Sequence, residues 1–191
     1  MLLFVAATFG LRQAAAAFGF IPADFLAGAW RDDAVRAWLS PLASAFLPSD
    51  FLSAIFNGIL LLIAGRYVEK AIGPIGLGVV FVAGAYAGAL ARTILTPGSV
   101  LVSAGSSPSL FAAVGVYMML YGVPRVLPIP PHLSRPLQIG LLALFWLAIQ
   151  GAFAIAAKHF EISVSIIDPL GGLVAGILLA RPLLAWKFRK A

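Results

Sequence analysis

Few side chains in this chain can do chemistry. Cysteine is absent, and the two histidines are His132 and His159. No His/Cys metal set can be assembled from these, so no metal or other cofactor is expected. The polar groups that stand out are set among apolar residues: Asn57, the run Gly105-Ser106-Ser107-Pro108, and Asp168-Pro169. Serine before proline at the head of an apolar run reads as a helix start. The hydroxyl of Ser106 or Ser107 would cap the first turn, and Pro108 would take the first helical position, where no N–H is needed. Asp168-Pro169 repeats the pattern and predicts a fresh helix start. A carboxylate near membrane depth is also a functional suspect by default, so cap and functional group both stand open for Asp168.

The elements that must position these groups follow from composition. Of 191 residues, 62% are hydrophobic and 10% charged, whereas soluble domains run near ~45–50% apolar and ~25% charged. A soluble enzyme, a disordered chain and a disulfide scaffold are excluded. The net charge of +6 does not make a nucleic-acid binder of so apolar a chain, and no nucleic-acid partner is expected. A multi-spanning all-α membrane protein remains, because lipid offers no partner to an open strand edge. Apolar runs divided by breakers predict six spans, near 1–20, 51–68, 74–95, 105–121, 137–157 and 162–186, in a single domain covering 1–191. Arg12 and Gln13 interrupt the first run, and Ala14 to Ala17 resemble a signal-peptidase site. Met1-Leu2-Leu3 carries no basic leader, so this run is read as a retained span.

Charge placement gives a direction. With the amino terminus in the cytoplasm, the inner loops and tail hold Arg66, Lys70, Arg125, Arg135, Arg181, Lys187, Arg189 and Lys190. The outer loops hold Arg31, Arg36, Arg92 and Lys158. The positive-inside rule therefore predicts both termini in the cytoplasm, and the basic excess also suits anionic lipid. Arg12 and Asp168 are the charges expected within the membrane, and no paired relay is visible. The outer segment 21–50 carries Val35, Trp38, Leu39 and Leu42 at i, i+3, i+4, i+7, which predicts an amphipathic helix in the headgroup plane. Gly84 with Gly88, and Gly172 with Gly176, predict close helix packing.

Several of these segments, in order, resemble the rhomboid family of intramembrane serine proteases. Gly65-Arg66-Tyr67-Val68-Glu69 followed by Gly73 is similar to the family's G-R-x-V-E-x-x-x-G. Phe46-Leu47 and Asn57 fall where rhomboids have F-L-H-x-x-x-x-H-x-x-x-N. Gly105-Ser106-Ser107-Pro108-Ser109-Leu110-Phe111 resembles G-A-S-G-A-I-F, and Trp146 with Gln150 resembles W-x-x-x-Q. Pro169-Leu170-Gly171-Gly172 with Gly176 resembles H-x-G-G-x-x-x-G. The likeness covers roughly residues 19–185 and implies a six-helix rhomboid-like bundle with an interfacial amphipathic loop after the first span.

It also implies a serine–histidine dyad, and here the chain departs. The nucleophile falls on Ser107, but the general base falls on Pro169, which accepts no proton. The family's oxyanion-supporting histidine falls on Ser53, while its asparagine partner is kept as Asn57. Pro108 replaces the glycine after the nucleophile and lacks the N–H that could serve an oxyanion. A serine hydroxyl is a weak nucleophile until a base takes its proton. The expectation is an inactive rhomboid homologue, with Ser107 and Asn57 vestigial. It would bind transmembrane segments of other membrane proteins or serve as a subunit of a membrane complex in a bacterial inner membrane. Asn57, Ser53, Ser107, Trp38 and Trp146 would be the partner-helix contacts. The alternative is an active protease in which His159 or Asp168 serves Ser107 as base. Phe111, where the family stacks a ring on the histidine, is expected against Pro169 or lipid.

Overall fold

The computed structural model describes residues 10–47, 51–122, 133–134, 137–138, 140–141, 144 and 167–189. Among them run helices α1 (Leu11–Phe18), α2 (Pro22–Ala27), α3 (Ala29–Asp32), α4 (Ala34–Phe46), α5 (Phe51–Leu95), α6 (Ser107–Tyr121) and α7 (Ile167–Phe188). The expected span 1–20 falls only partly within the described residues, and the expected span 137–157 falls mostly outside them.

Helix α5 holds 45 residues. Straight, it would measure about 66 Å, more than twice a bilayer core of ~30 Å. It is broken at Gly73, where φ 82 and ψ 168 leave the helical region. A positive φ costs glycine nothing, and Pro74 begins the next stretch without needing an N–H. A Cβ on Gly65 would lie 3.6 Å from a Leu77 methyl; twelve residues of unbroken helix would part them by about 18 Å. The chain therefore doubles back, and its arms, 51–72 and 74–95, correspond to the expected second and third spans.

Helices α6 and α7 pack on each other and on α5, and glycine sets how closely. Side chains on Gly172 and Gly176 would run into the carbonyls of Pro108 and Ala112. A Cβ on Gly115 would stand 2.6 Å from the Leu173 carbonyl, and one on Gly84 2.7 Å from Ala112 Cβ. The small-residue pairs thus let three helices meet at backbone distance. Val68, Ile72, Val80, Val116, Ala180 and Leu183 fill the core between them. Phe111 is buried in a second cluster with Leu110, Met118 and Leu173, so of the two expected neighbours, Pro169 or lipid, it does not face lipid.

The bulky aliphatics point outward. Ile59, Leu62, Ile63, Leu90, Ile94, Val174 and Leu178 are all exposed, as a lipid-facing surface requires and a water-facing one does not. Ala54–Leu95 and Ile167–Phe188 are long and apolar enough to cross a membrane, while α6 is shorter.

Helices α2–α4 form a belt beside this bundle. Asp33 caps α4 by accepting from the Arg36 N–H at 3.0 Å. Ala37, Pro41, Ser44 and Ala45 face inward, whereas Val35, Trp38 and Leu39 are exposed. The predicted apolar stripe is therefore present but turned away from the protein, the orientation a helix in the headgroup plane needs. The belt is tied down by a Phe20–Ser103 backbone bridge, by Gly105 N–H donating to the Ser44 carbonyl at 2.9 Å, and by Tyr86 donating its hydroxyl proton to the Trp38 carbonyl at 2.7 Å.

If backbone approach sets the packing, Gly176→Val should lower stability by roughly 1–3 kcal/mol or more, through overpacking. Gly78→Ala, where an added methyl meets nothing within 4 Å, should be neutral or stabilising by up to about 1 kcal/mol. Thermal unfolding in mild detergent checks both, and equal effects would rule the explanation out.

Candidate functional site

The site lies where α6 begins. Ser106 occupies the cap position, but its side chain makes no cap bond; Ser107 is the first helical residue and Pro108 the second. This corrects the expectation that a serine hydroxyl caps α6 with Pro108 leading. The Ser107 hydroxyl is turned to another helix instead: Asn57 Nδ2 donates to Ser107 Oγ at 3.0 Å. Asn57 is buried in the first arm of α5, so its amide wants a partner, and Ser107 supplies one. Ser109 donates to the Phe81 carbonyl at 2.7 Å, fastening the same turn to the second arm. Two residues assigned to the site from sequence, fifty positions apart, are thus brought together by folding.

The other assigned residues divide. Ser53 falls in the first turn of α5, one turn before Asn57, with its side chain outside the description. Pro169 is buried in the first turn of α7. Trp38 is exposed on α4, with its ring edge-on to Phe25 at 5.4 Å, and no hydrogen bond or ring contact joins it to Asn57 or Ser107. Trp146, His132 and His159 lie outside the described residues.

Asp168 departs from the cap reading. It lies in the first turn of α7, and its carboxylate accepts from no backbone N–H of that turn among the described residues. Oδ2 accepts from Arg92 Nη1 at 2.8 Å and from Ser103 Oγ at 2.8 Å. Arg92 was expected in an outer loop; it lies in the second arm of α5 and is buried, with the two side chains only 7% and 9% exposed. A paired charge inside the bundle was not anticipated, and neither was Ser103. Arg92 Nη2 also reaches the Leu101 carbonyl at 3.4 Å. The cluster therefore joins α5, α7 and the segment 96–106 that leads into Ser107. Oδ1 of Asp168 is buried with no hydrogen-bond partner among the described residues.

Arg92 stands in Ala91-Arg92-Thr93-Ile94-Leu95, inside an apolar run. An arginine within a membrane segment seeks an acid, and that signal was available from sequence. Ser103 carried none. Chemically, the arrangement offers a hydroxyl held by an amide and, tied to the segment that leads into it, a carboxylate with one oxygen engaged by a guanidinium and a second hydroxyl and the other without a partner among the described residues.

Removing one member of a buried ion pair strands the other. Arg92→Gln and Asp168→Asn should each cost about 3–5 kcal/mol, whereas the apolar pair Arg92→Met with Asp168→Leu should recover most of the loss. Ser103→Ala should cost about 1–3 kcal/mol, as one bond to a charged group. Thermal unfolding of the purified variants tests the ranking; single variants as stable as the parent would show that the pair does not hold the fold.

No curated protein and no solved structure matches the chain. A family model described as the rhomboid domain matches residues 35–186, a stretch that takes in α4, both arms of α5, α6 and all but the end of α7. With the match covering most of its length, the chain belongs to the rhomboid family.

Proposed function

We propose that this chain is a catalytically inactive rhomboid, a six-span bundle that binds transmembrane helices of other membrane proteins without cutting them, or serves as a fixed subunit among them. The observation that carries the reading is Pro169. Rhomboid catalysis needs a proton acceptor at this place in the sixth span, and proline has none. Three features of the site support it. Ser107 Oγ is held by the Asn57 amide, and among the described residues no carboxylate bonds to it. Asp168 Oδ2 is engaged by Arg92 and Ser103, and neither carboxylate oxygen bonds to Ser107 among the described residues. Pro108 withholds one backbone donor at the turn where an oxyanion would sit.

A site of this kind suits binding. Asn57, Ser53 and Ser107 would offer polar contacts to a helix entering from the bilayer, and buried polar groups favour a partner that satisfies them. Trp38 on the belt and Trp146 would flank that approach. The location that fits the Ala-rich and Gly-rich composition is a bacterial inner membrane, and the distribution of Lys and Arg favours both termini in the cytoplasm.

The test offers the purified protein a serine-directed fluorophosphonate and a helical reporter substrate. No Ser107-dependent labelling and no cleavage are expected. Labelling that disappears in Ser107→Ala, together with cleavage lost in His159→Ala, or in Asp168→Asn shown to remain folded, would overturn the proposal in favour of an active enzyme with an unusual base. Mild-detergent co-purification then separates a binder, which returns several substoichiometric partners, from a subunit, which returns one at fixed ratio.

A further inference from the structure

Three helix ends converge at the Gly73 end of the bundle, far from Ser107. Lys187 on α7 donates its ammonium proton to the Lys70 carbonyl on α5 at 2.9 Å. Tyr121, closing α6, donates its hydroxyl proton to the Tyr67 carbonyl at 3.1 Å, and the two rings meet edge to face at 6.1 Å. Arg66 and Lys70 stand one turn apart on the first arm, and Arg189 follows Lys187 at the end of α7. Like charges at such spacing repel. Among the described residues none of these four cations meets a carboxylate: the ion pair there is Arg92–Asp168, and Glu69 forms none. Tyr67 and Tyr121 are about half exposed, and the Tyr67 hydroxyl has no protein partner among the described residues. Ammonium and guanidinium groups that meet no carboxylate among the described residues therefore stand on the same helix ends as two half-exposed phenol rings, at one edge of an apolar bundle. Tyrosines of this kind mark the headgroup level.

We infer that this end is a binding site for the phosphodiester headgroup of an anionic phospholipid. Arg66 and Lys70 meet the phosphate from one side and Lys187 and Arg189 from the other. The Tyr67 hydroxyl donates to a phosphate oxygen, and the acyl chains descend along the exposed aliphatics of the first arm. Lys187 has two ammonium protons beyond the one given to Lys70. The inference rests on the reading that this end faces the cytoplasmic leaflet, where anionic lipid supplies the counter-charge.

The experiment uses the full chain in neutral detergent, with native mass spectrometry of retained phosphatidylglycerol against phosphatidylcholine. Phosphatidylglycerol should be retained preferentially. Arg66→Gln with Lys70→Gln should weaken retention by on the order of tenfold or more, and Lys187→Gln with Arg189→Gln should do the same if the first pair unfolds. Arg31→Gln with Arg36→Gln, at the other end, should change nothing. Equal retention of both lipids, or indifference to both basic pairs, overturns the site. Displacement of the lipid by inorganic phosphate at matched concentration also overturns it, by making the ligand a free anion. An impermeant maleimide applied to intact spheroplasts carrying Ala191→Cys reads the orientation separately: labelling from outside would refute the leaflet assignment while leaving the detergent result standing.

Discussion

The structure depends on backbone meeting backbone around the start of α6. Pro108 and Ala112 lie between glycines of the second arm of α5 and glycines of α7, and an added Cβ on Gly88, Gly172 or Gly176 would overlap their atoms. In lipid the hydrophobic effect does not drive helices together, so close packing at such contacts, with hydrogen bonds between helices, takes its place. The same constraint places Ser107. Its helix can approach Asn57 only because α6 is held flush against both of its neighbours, and a looser bundle would leave the amide and hydroxyl unpaired.

At the start of α6 this contact is closed by charge. Arg92, Asp168 and Ser103 unite two helices and the segment before α6 through bonds of 2.8 Å. Taking two charges out of water is costly, and an apolar pair of the same volume is often at least as stable. Such a pair therefore points to specificity of arrangement rather than to stability alone. It holds the residues leading into Ser107 in one position, and it does so next to Pro169, where the family resemblance calls for an imidazole. The family membership supplies the architecture around this cluster.

The belt shows a related economy of placement. In α4 the small residues Ala37, Pro41 and Ala45 turn inward, and Val35, Trp38 and Leu39 turn outward. A soluble amphipathic helix would reverse this. Small inward residues let the belt lie close on the bundle, and the exposed rings suit a surface that is itself partly apolar.

Much of this was legible in the chain. Hydropathy and breakers located the arms of α5, the body of α6 and most of α7, because a bilayer imposes length and composition on every span. Ordered motifs marked Asn57 and Ser107 as one site, and the glycine pairs announced close packing. Of the Arg92–Asp168–Ser103 cluster, the sequence showed only that an arginine in an apolar run needs an acid, not which groups it would meet. Local rules assigned Asp168 to a cap and Arg92 to a loop, since each is a sound choice for its own neighbours. Helix capping and charge counting are short-range readings, and an ion pair between residues seventy-six positions apart exists only after two helices have packed. The sequence alone therefore determined which segments are apolar enough to span and which polar residues they carry. Tertiary structure decided which polar groups satisfy one another, because that depends on distances that no local pattern encodes.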